Sequence, residues 1–168
     1  MTEEPPYLVQ LGDAQTAVVR ALFDSLSREG WSECTVEYRS TVSMAESQVT
    51  LTNSAGTSEI VKSPINMIMA FKNLRELMAT QGRGAWLSAT VTAKPDGKCT
   101  FDYNYDARPN WTVQPADETY IADLEKYPRP ADQIPDWYPR GSYTPPPTNE
   151  GASDVPRHPR GSACTRRS

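Results

Sequence analysis

The sequence predicts an α+β fold: an antiparallel β-sheet of about five strands, two main helices packed on one face, and a short third helix. Three observations carry this. Two runs of helical periodicity, beginning at Asp13 and at Ser63-Pro64, are each followed by blocks that alternate with period two. The β blocks are punctuated by the turn signals Asn53–Gly56 and Pro95-Asp96-Gly97. From about residue 139 the composition changes, with six of the 15 prolines and few apolar residues.

In the first run, DAQTAVVRALFDSLSREG, Ala14, Ala17, Val18, Ala21, Leu22 and Leu26 recur near helical spacing. Asp13 is a candidate N-cap and Gly30 a candidate stop, predicting a helix over about 13–29. Residues 1–12 are expected to be a leader. SECTVEYRSTVSM then alternates Cys34, Val36 and Tyr38 with polar residues; Val49 and Leu51 do the same in the next block, and SEIVK is a third short strand. The pattern describes an antiparallel meander with one wet face. Ser63-Pro64 starts the second helix, with Ile65, Ile68, Met69, Leu74 and Leu77 on its stripe, Phe71 and Met78 widening it, and Gly82 and Gly84 ending it. Its methionines are expected to pack in the core.

The GAWLSATVTAK–PDG–KCTFDYNYD segment is a hairpin. Trp86, Ser88, Thr90 and Thr92 fall on one face; Leu87, Ala89, Val91 and Ala93 fall on the other. A short helix follows in PADETYIADLEKYP, led by Pro115, with acids in its first turn and Lys126 near its end, as the helix dipole favours. RPADQIPDWYP is a proline-punctuated arm. The domain is therefore expected to span 13–138, followed by a flexible, basic, Pro-rich tail over 139–168.

Charge is unevenly distributed. Residues 1–138 carry 12 Lys+Arg against 19 Asp+Glu, and residues 139–168 carry 5 against 2. The acidic body argues against nucleic-acid binding, which needs cations to neutralise phosphates, and favours a partner with a basic surface. The three cysteines form no CxxC pair, so two are expected buried and one exposed in the tail. Neither a signal-like start nor an apolar run of about 18 residues appears, so a cytoplasmic protein without a membrane segment is expected.

Asp102-x-Asn104-x-Asp106 matches the first three ligand positions of a calcium loop. However, Ala107 stands where that loop needs Gly, and Val113 where it needs a bidentate Glu. As catalytic carboxylates, Asp102 and Asp106 would lie about 13 Å apart along a strand, farther than the ~6.5–9.5 Å of an inverting glycosidase pair. The only histidine, His158, is in the tail, and no phosphate loop or nucleophile elbow is present. No catalytic, cofactor or metal residues are therefore assigned, and an enzyme is the least favoured of three readings. A single strand with a dry face (Phe101, Tyr103, Tyr105) and an acidic face (Asp102, Asn104, Asp106) accounts for every residue of the segment. Between 102 and 136 stand eight acids against Arg108, Lys126 and Arg129. With the large aromatics nearby, they suit a protein-binding surface.

The order W-x-S-A-T, P-D-G, FDYNYD, a Tyr/Leu helix and IPDWY over Gly84–Tyr138 resembles the YezG-like immunity proteins of bacterial polymorphic toxin systems. Residues 13–84 resemble them mainly in element order. The resemblance implies a cytoplasmic antitoxin that neutralises a cognate toxin domain as a 1:1 heterodimer, by occlusion and without chemistry or cofactors. The candidate contacts are Asp102, Asn104, Asp106, Trp111, Asp132, Asp136, Trp137 and Tyr138. The alternative for Trp111 and Trp137 is that they clamp the arm onto the sheet, and for Trp137 the preceding Ile134-Pro135 favours the clamp. A general adaptor domain is the second functional reading.

Overall fold

Two adjacent prolines, not Asp13, set the start of the first helix. In the computed structural model, which describes residues 3–27, 29–145 and the backbone of 162–164, helix α1 spans Tyr7–Ser25. Pro6 is its N-cap, and its carbonyl accepts from the amides of Val9 and Gln10 at 2.9 and 3.1 Å. The stretch expected as a leader thus contributes the first turns. Asp13 is an exposed residue inside the helix. The start escapes periodicity because the first turns bury little: Leu8 and Val9 are exposed. The buried stripe is Gln15, Val18, Val19 and Leu22. Gly30, at φ +93°, lies beyond the helix in the turn into the sheet.

The strands are β1 (Glu33–Ser40), β2 (Ala45–Thr52), β3 (Ser58–Val61), β4 (Ser88–Ala93), β5 (Cys99–Asn104) and β6 (Ser162–Cys164). They form one sheet in the order β3-β2-β1-β4-β5-β6, with every neighbouring pair antiparallel. The register aligns the apolar alternation across strands: Val36 faces Val49 and Val91, and Val91 faces Phe101. A one-residue slip would turn these side chains to the wet face. The opposite face is polar, with Thr50, Thr35, Thr92 and Thr100 in one cross-strand row and Glu37, Thr90 and Asp102 in the next.

Helix α2 (Ile65–Ala79) crosses from β3 back to β4 and packs with α1 on the dry face. Its buried stripe is Met67, Ala70, Phe71, Leu74, Arg75 and Met78. This is rotated from the predicted one: Ile65 and Met69 are 74% and 52% exposed. The buried positions keep strict helical spacing, but one is an arginine, which a hydrophobicity pattern discards. Met67 and Met78 do pack in the core. Tyr38 stacks on Phe71 with ring centroids 4.6 Å apart, and Trp86 meets Tyr38 edge-on. Trp86, grouped by alternation with Ser88, Thr90 and Thr92, does not share their face but is fully buried in this core, because β4 begins only at Ser88 and the alternation does not extend back to it.

A second, smaller cluster comprises Leu87, Tyr120, Leu124, Ile134 and Tyr138, with Trp137 and Tyr143 against it. It joins α3 (Asp117–Lys126) and the proline arm to the end of the sheet. Two buried arginines connect this cluster to the main core. Arg75 forms a two-pronged pair with Asp123, both N···O distances 2.9 Å, and donates Nε to the Trp86 carbonyl. Arg129 donates to the carbonyls of Ala85, Tyr105 and Gln133. The folded body also extends past 138: Arg140 donates to the Ile134 carbonyl, and the Tyr143 hydroxyl accepts from the Arg129 amide. The remaining expectation of a disordered tail lies outside the described residues, except for the β6 backbone.

Asp123→Asn leaves a buried guanidinium without its counter-charge and should lower stability by about 3–5 kcal/mol in denaturant titrations. Gly84→Ala should lose about 2 kcal/mol or more, because Gly84 has φ +77° and an added Cβ would run into Cγ of Arg129. A loss below about 0.5 kcal/mol in either variant would show that the arginines do not carry the second cluster.

Candidate functional site

Where β5 ends, the chain must turn away from the sheet, and Asn104 makes the turn. Its Oδ1 accepts from the amides of Asp106 and Ala107 at 3.3 and 2.9 Å; its Nδ2 donates to the Ala107 carbonyl and to Ser88 Oγ. This is the Asx geometry in which a side chain replaces the ladder's hydrogen bonds. The Asn104 amide is thus engaged in holding the bend.

The bend is fixed from the other side by the arm. Trp137 Nε1 donates to the Asp106 carbonyl at 2.7 Å, and Arg129 Nη1 reaches the Tyr105 and Gln133 carbonyls at 2.7 and 3.2 Å. Burial lowers the Arg129 pKa from its ordinary value, against the opposing influence of Tyr138, Asp123 and Asp106. Burial likewise raises Tyr105, to about 12, and Tyr138. Arg108 lies over the Trp137 ring at 5.2 Å, a cation–π arrangement.

The eight candidate contacts fall into three groups. Asp106, Asp132 and Asp136 are exposed, and the bonds of Trp137 and Arg129 bring the segments that carry them together beside the half-buried Trp137. Asp102 is also exposed, but on the polar sheet face, two strands from Glu37. Asn104, Trp111 and Tyr138 serve the scaffold. Trp111 is 5% and Tyr138 2% exposed; Trp111 Nε1 donates to the Tyr120 hydroxyl and the Tyr138 hydroxyl to the Tyr120 carbonyl. Trp137 takes the clamping role while leaving part of its ring open. Counting charge along the sequence also missed that Asp123 and Arg129 are internal. One signal was available for the buried pair: Asp123 follows Tyr120 by three residues, and Arg75 follows Phe71 by four, each on its helix's buried stripe.

Glu46 extends the same construction. Its carboxylate accepts from the amides of Thr112 and Val113 at 3.0 and 3.2 Å and lies 3.8 Å from Arg39. Desolvation opposes its ionisation, but these hydrogen bonds and the Arg39 charge outweigh it, and its pKa is lowered. The loop after the bend is therefore tied to β2.

Among the described residues, no group of three or more His, Cys, Asp or Glu side chains is placed to hold a metal ion. No described helix is long and apolar enough to cross a membrane. Fold and surface together define an α+β domain whose β5 bend and proline arm, tied together at Trp137, carry the exposed Asp106, Asp132 and Asp136 and, over the Trp137 ring, Arg108. No protein-family model matches the chain, and no curated protein matches it in sequence.

A carboxylate with a lowered folded-state pKa stabilises the fold above its unfolded pKa and loses that contribution as pH falls through the folded value. Glu46→Gln should therefore be less stable than the parent by about 1 kcal/mol near pH 7. The difference should shrink toward zero below about pH 4. Urea titrations at both pH values test this; a difference independent of pH would show that the carboxylate charge contributes nothing.

Proposed function

We propose that this protein is a stoichiometric inhibitor of the immunity-protein kind, binding a cognate toxin domain as a 1:1 heterodimer in the cytoplasm. The observation that carries the reading is that Asp106, Asp132 and Asp136 are exposed on two segments whose backbone is fastened together by Arg129 and by the indole of the half-buried Trp137. Exposed carboxylates around an aromatic anchor suit a basic cleft: charge accelerates encounter and sets specificity, and the aromatic supplies contact area. Fixed backbone reduces the ordering cost of association. The resemblance of Gly84–Tyr138 to YezG-like immunity proteins suggests the partner class, and the exposed acids on the fastened bend and arm support this surface as its docking site. Asp102 belongs to the polar sheet face and, on this reading, contributes long-range charge to the same encounter.

The first test is co-expression with the C-terminal domain of the neighbouring gene's product, expecting that domain to be a toxin, a one-to-one complex and loss of toxin activity. In that complex, Asp106→Lys/Asp136→Lys should weaken binding about 10- to 100-fold, mostly through a slower association rate, and reduce its dependence on salt. Circular dichroism should be unchanged. A folded double variant with parental affinity would remove the acidic platform from the interface. A complex in which the toxin stays active would remove the inhibitor reading.

A further inference from the structure

The sheet ends at β3 with an outer edge that no other described strand pairs with. Its ladder with β2 is continuous from Val49↔Val61 to Thr52↔Ser58, so no bulge turns the edge aside, and no proline lies within Ser58–Val61. Two hydrogen bonds fix the direction of its backbone groups. The Asn53 amide donates to the Thr57 carbonyl at 2.9 Å, so Thr57 bonds toward β2. The Thr52 carbonyl accepts from the Ser32 amide at 2.7 Å, so Thr52 bonds toward β1 and away from Ser58, which lies opposite it on β3. Bonding alternates along an antiparallel pair. Ser58 and Ile60 therefore point their amides and carbonyls outward. The Ile60 side chain is 69% exposed, at the end of a cross-strand row whose members on β2, β1, β4 and β5 are all threonines. A large apolar group thus stands on the polar face, beside outward-facing backbone.

We infer that β3 is a homodimer edge: a second copy of this chain pairs with it, antiparallel and centred on Ile60, and joins the two sheets into one. The closed symmetry that joins two such edges is a two-fold axis perpendicular to the sheet, which sets one residue opposite its own copy. Each of the four residues of β3 is a candidate centre. Ser58 as centre runs Ile60 against Gly56 in the turn. Glu59 opposes two like carboxylates. Val61 sets Ser58 opposite Pro64, which has no amide to donate. Ile60 as centre opposes Ser58 to Lys62 and Glu59 to Val61. It also lets the two Ile60 residues exchange both outward backbone bonds while their side chains cover each other. The strand is thus complementary to itself, and this selects a second copy as the occupant.

The contact is small. A pair formed by Ser58–Lys62 on each side falls below a standard interface, so the dimer belongs to the weak, concentration-dependent class. The sheet order sets β3 at the opposite side from β5, whose end carries the Asn104 bend. Each copy keeps its bend and arm free, and a partner bound there retains a one-to-one ratio.

Sedimentation velocity on the full-length protein from ~1 μM to ~1 mM tests the edge. The average mass should rise from 18.7 kDa toward twice that value, and hydrogen exchange at the Ile60 amide should slow in step with it. Ile60→Lys opposes two ammonium groups across the pair and should stay at the monomer mass throughout, with unchanged circular dichroism. Ile60→Thr, which copies the rest of its row, should keep the fold and weaken dimerisation about tenfold or more. Ile65→Lys removes a side chain on α2 that is 74% exposed and should dimerise as the parent does. A parent that stays monomeric to the highest concentration, a dimer that survives in both Ile60 variants, or a dimer lost in Ile65→Lys instead would each overturn the assignment.

Discussion

One guanidinium group, that of Arg129, holds together the parts of this protein that sequence order keeps apart. It donates to the carbonyls of Ala85 before β4, Tyr105 after β5 and Gln133 in the arm. A planar group with five donors in a fixed fork can satisfy several acceptors at once, and only arginine offers that geometry. The three carbonyls lie where the sheet ladder has ended and the backbone needs other partners. The Tyr105 and Tyr138 rings lie 5.9 and 5.3 Å from the charge, covering it with π faces in place of water. Gly84 follows from this arrangement, since the guanidinium stem occupies the space a side chain there would need.

The Arg75–Asp123 pair completes the connection by a different route. The second cluster has five buried members, too few for an independent core at this size. Its attachment to the α1–α2 core depends on charge as well as apolar contact: α2 supplies the guanidinium, α3 the carboxylate, and the Trp86 carbonyl accepts from Nε. Buried pairs contribute modestly to net stability compared with apolar replacements, yet losing one partner is severe. Their effect here is specificity of docking. An apolar interface of this area could slide, whereas a two-pronged ion pair and a three-carbonyl bridge admit one arrangement.

These same interactions explain what was legible in the sequence. The sheet was legible because period-two alternation is a direct image of one dry face, and the register of Val36, Val49, Val91 and Phe101 follows from it. The Pro-Asp-Gly hairpin and the start of α2 at Pro64 were legible because turn chemistry and proline's fixed φ are local, although Ser63 does not cap the helix and its hydroxyl bonds Ser47. The true start of α1 was not, because its first turns bury almost nothing and the deciding signal was Pro5-Pro6 rather than a cap at Asp13. The rotation of α2 was hidden because its buried stripe includes Arg75. At the platform, exposure of Asp102, Asp106, Asp132 and Asp136 followed from polarity alone. The scaffold roles of Asn104 and Tyr138 did not, since each depends on a hydrogen bond to a group in another turn or segment, whereas for Trp111 a clamping role was the alternative reading.

The division between engaged and exposed groups bears directly on binding. Exposed carboxylates on a mobile loop would lose much of their attraction to the entropy of ordering them. Here the loop's backbone is held at Asp106 by an indole donor, at Tyr105 by a guanidinium, and at Thr112–Val113 by the Glu46 carboxylate. The side-chain hydrogen-bond donors and the buried charges are directed inward to fix the chain. The acids that project outward keep their charge available to a partner. A surface built this way presents its charge pattern before encounter, so complementarity to a basic partner acts on the rate of association as well as on affinity. The same construction accounts for why aromatics that resemble interface anchors in sequence are mostly internal: Trp111 and Tyr138 are buried, and of the three candidate aromatics only Trp137 is half-exposed, with Arg108 over its ring.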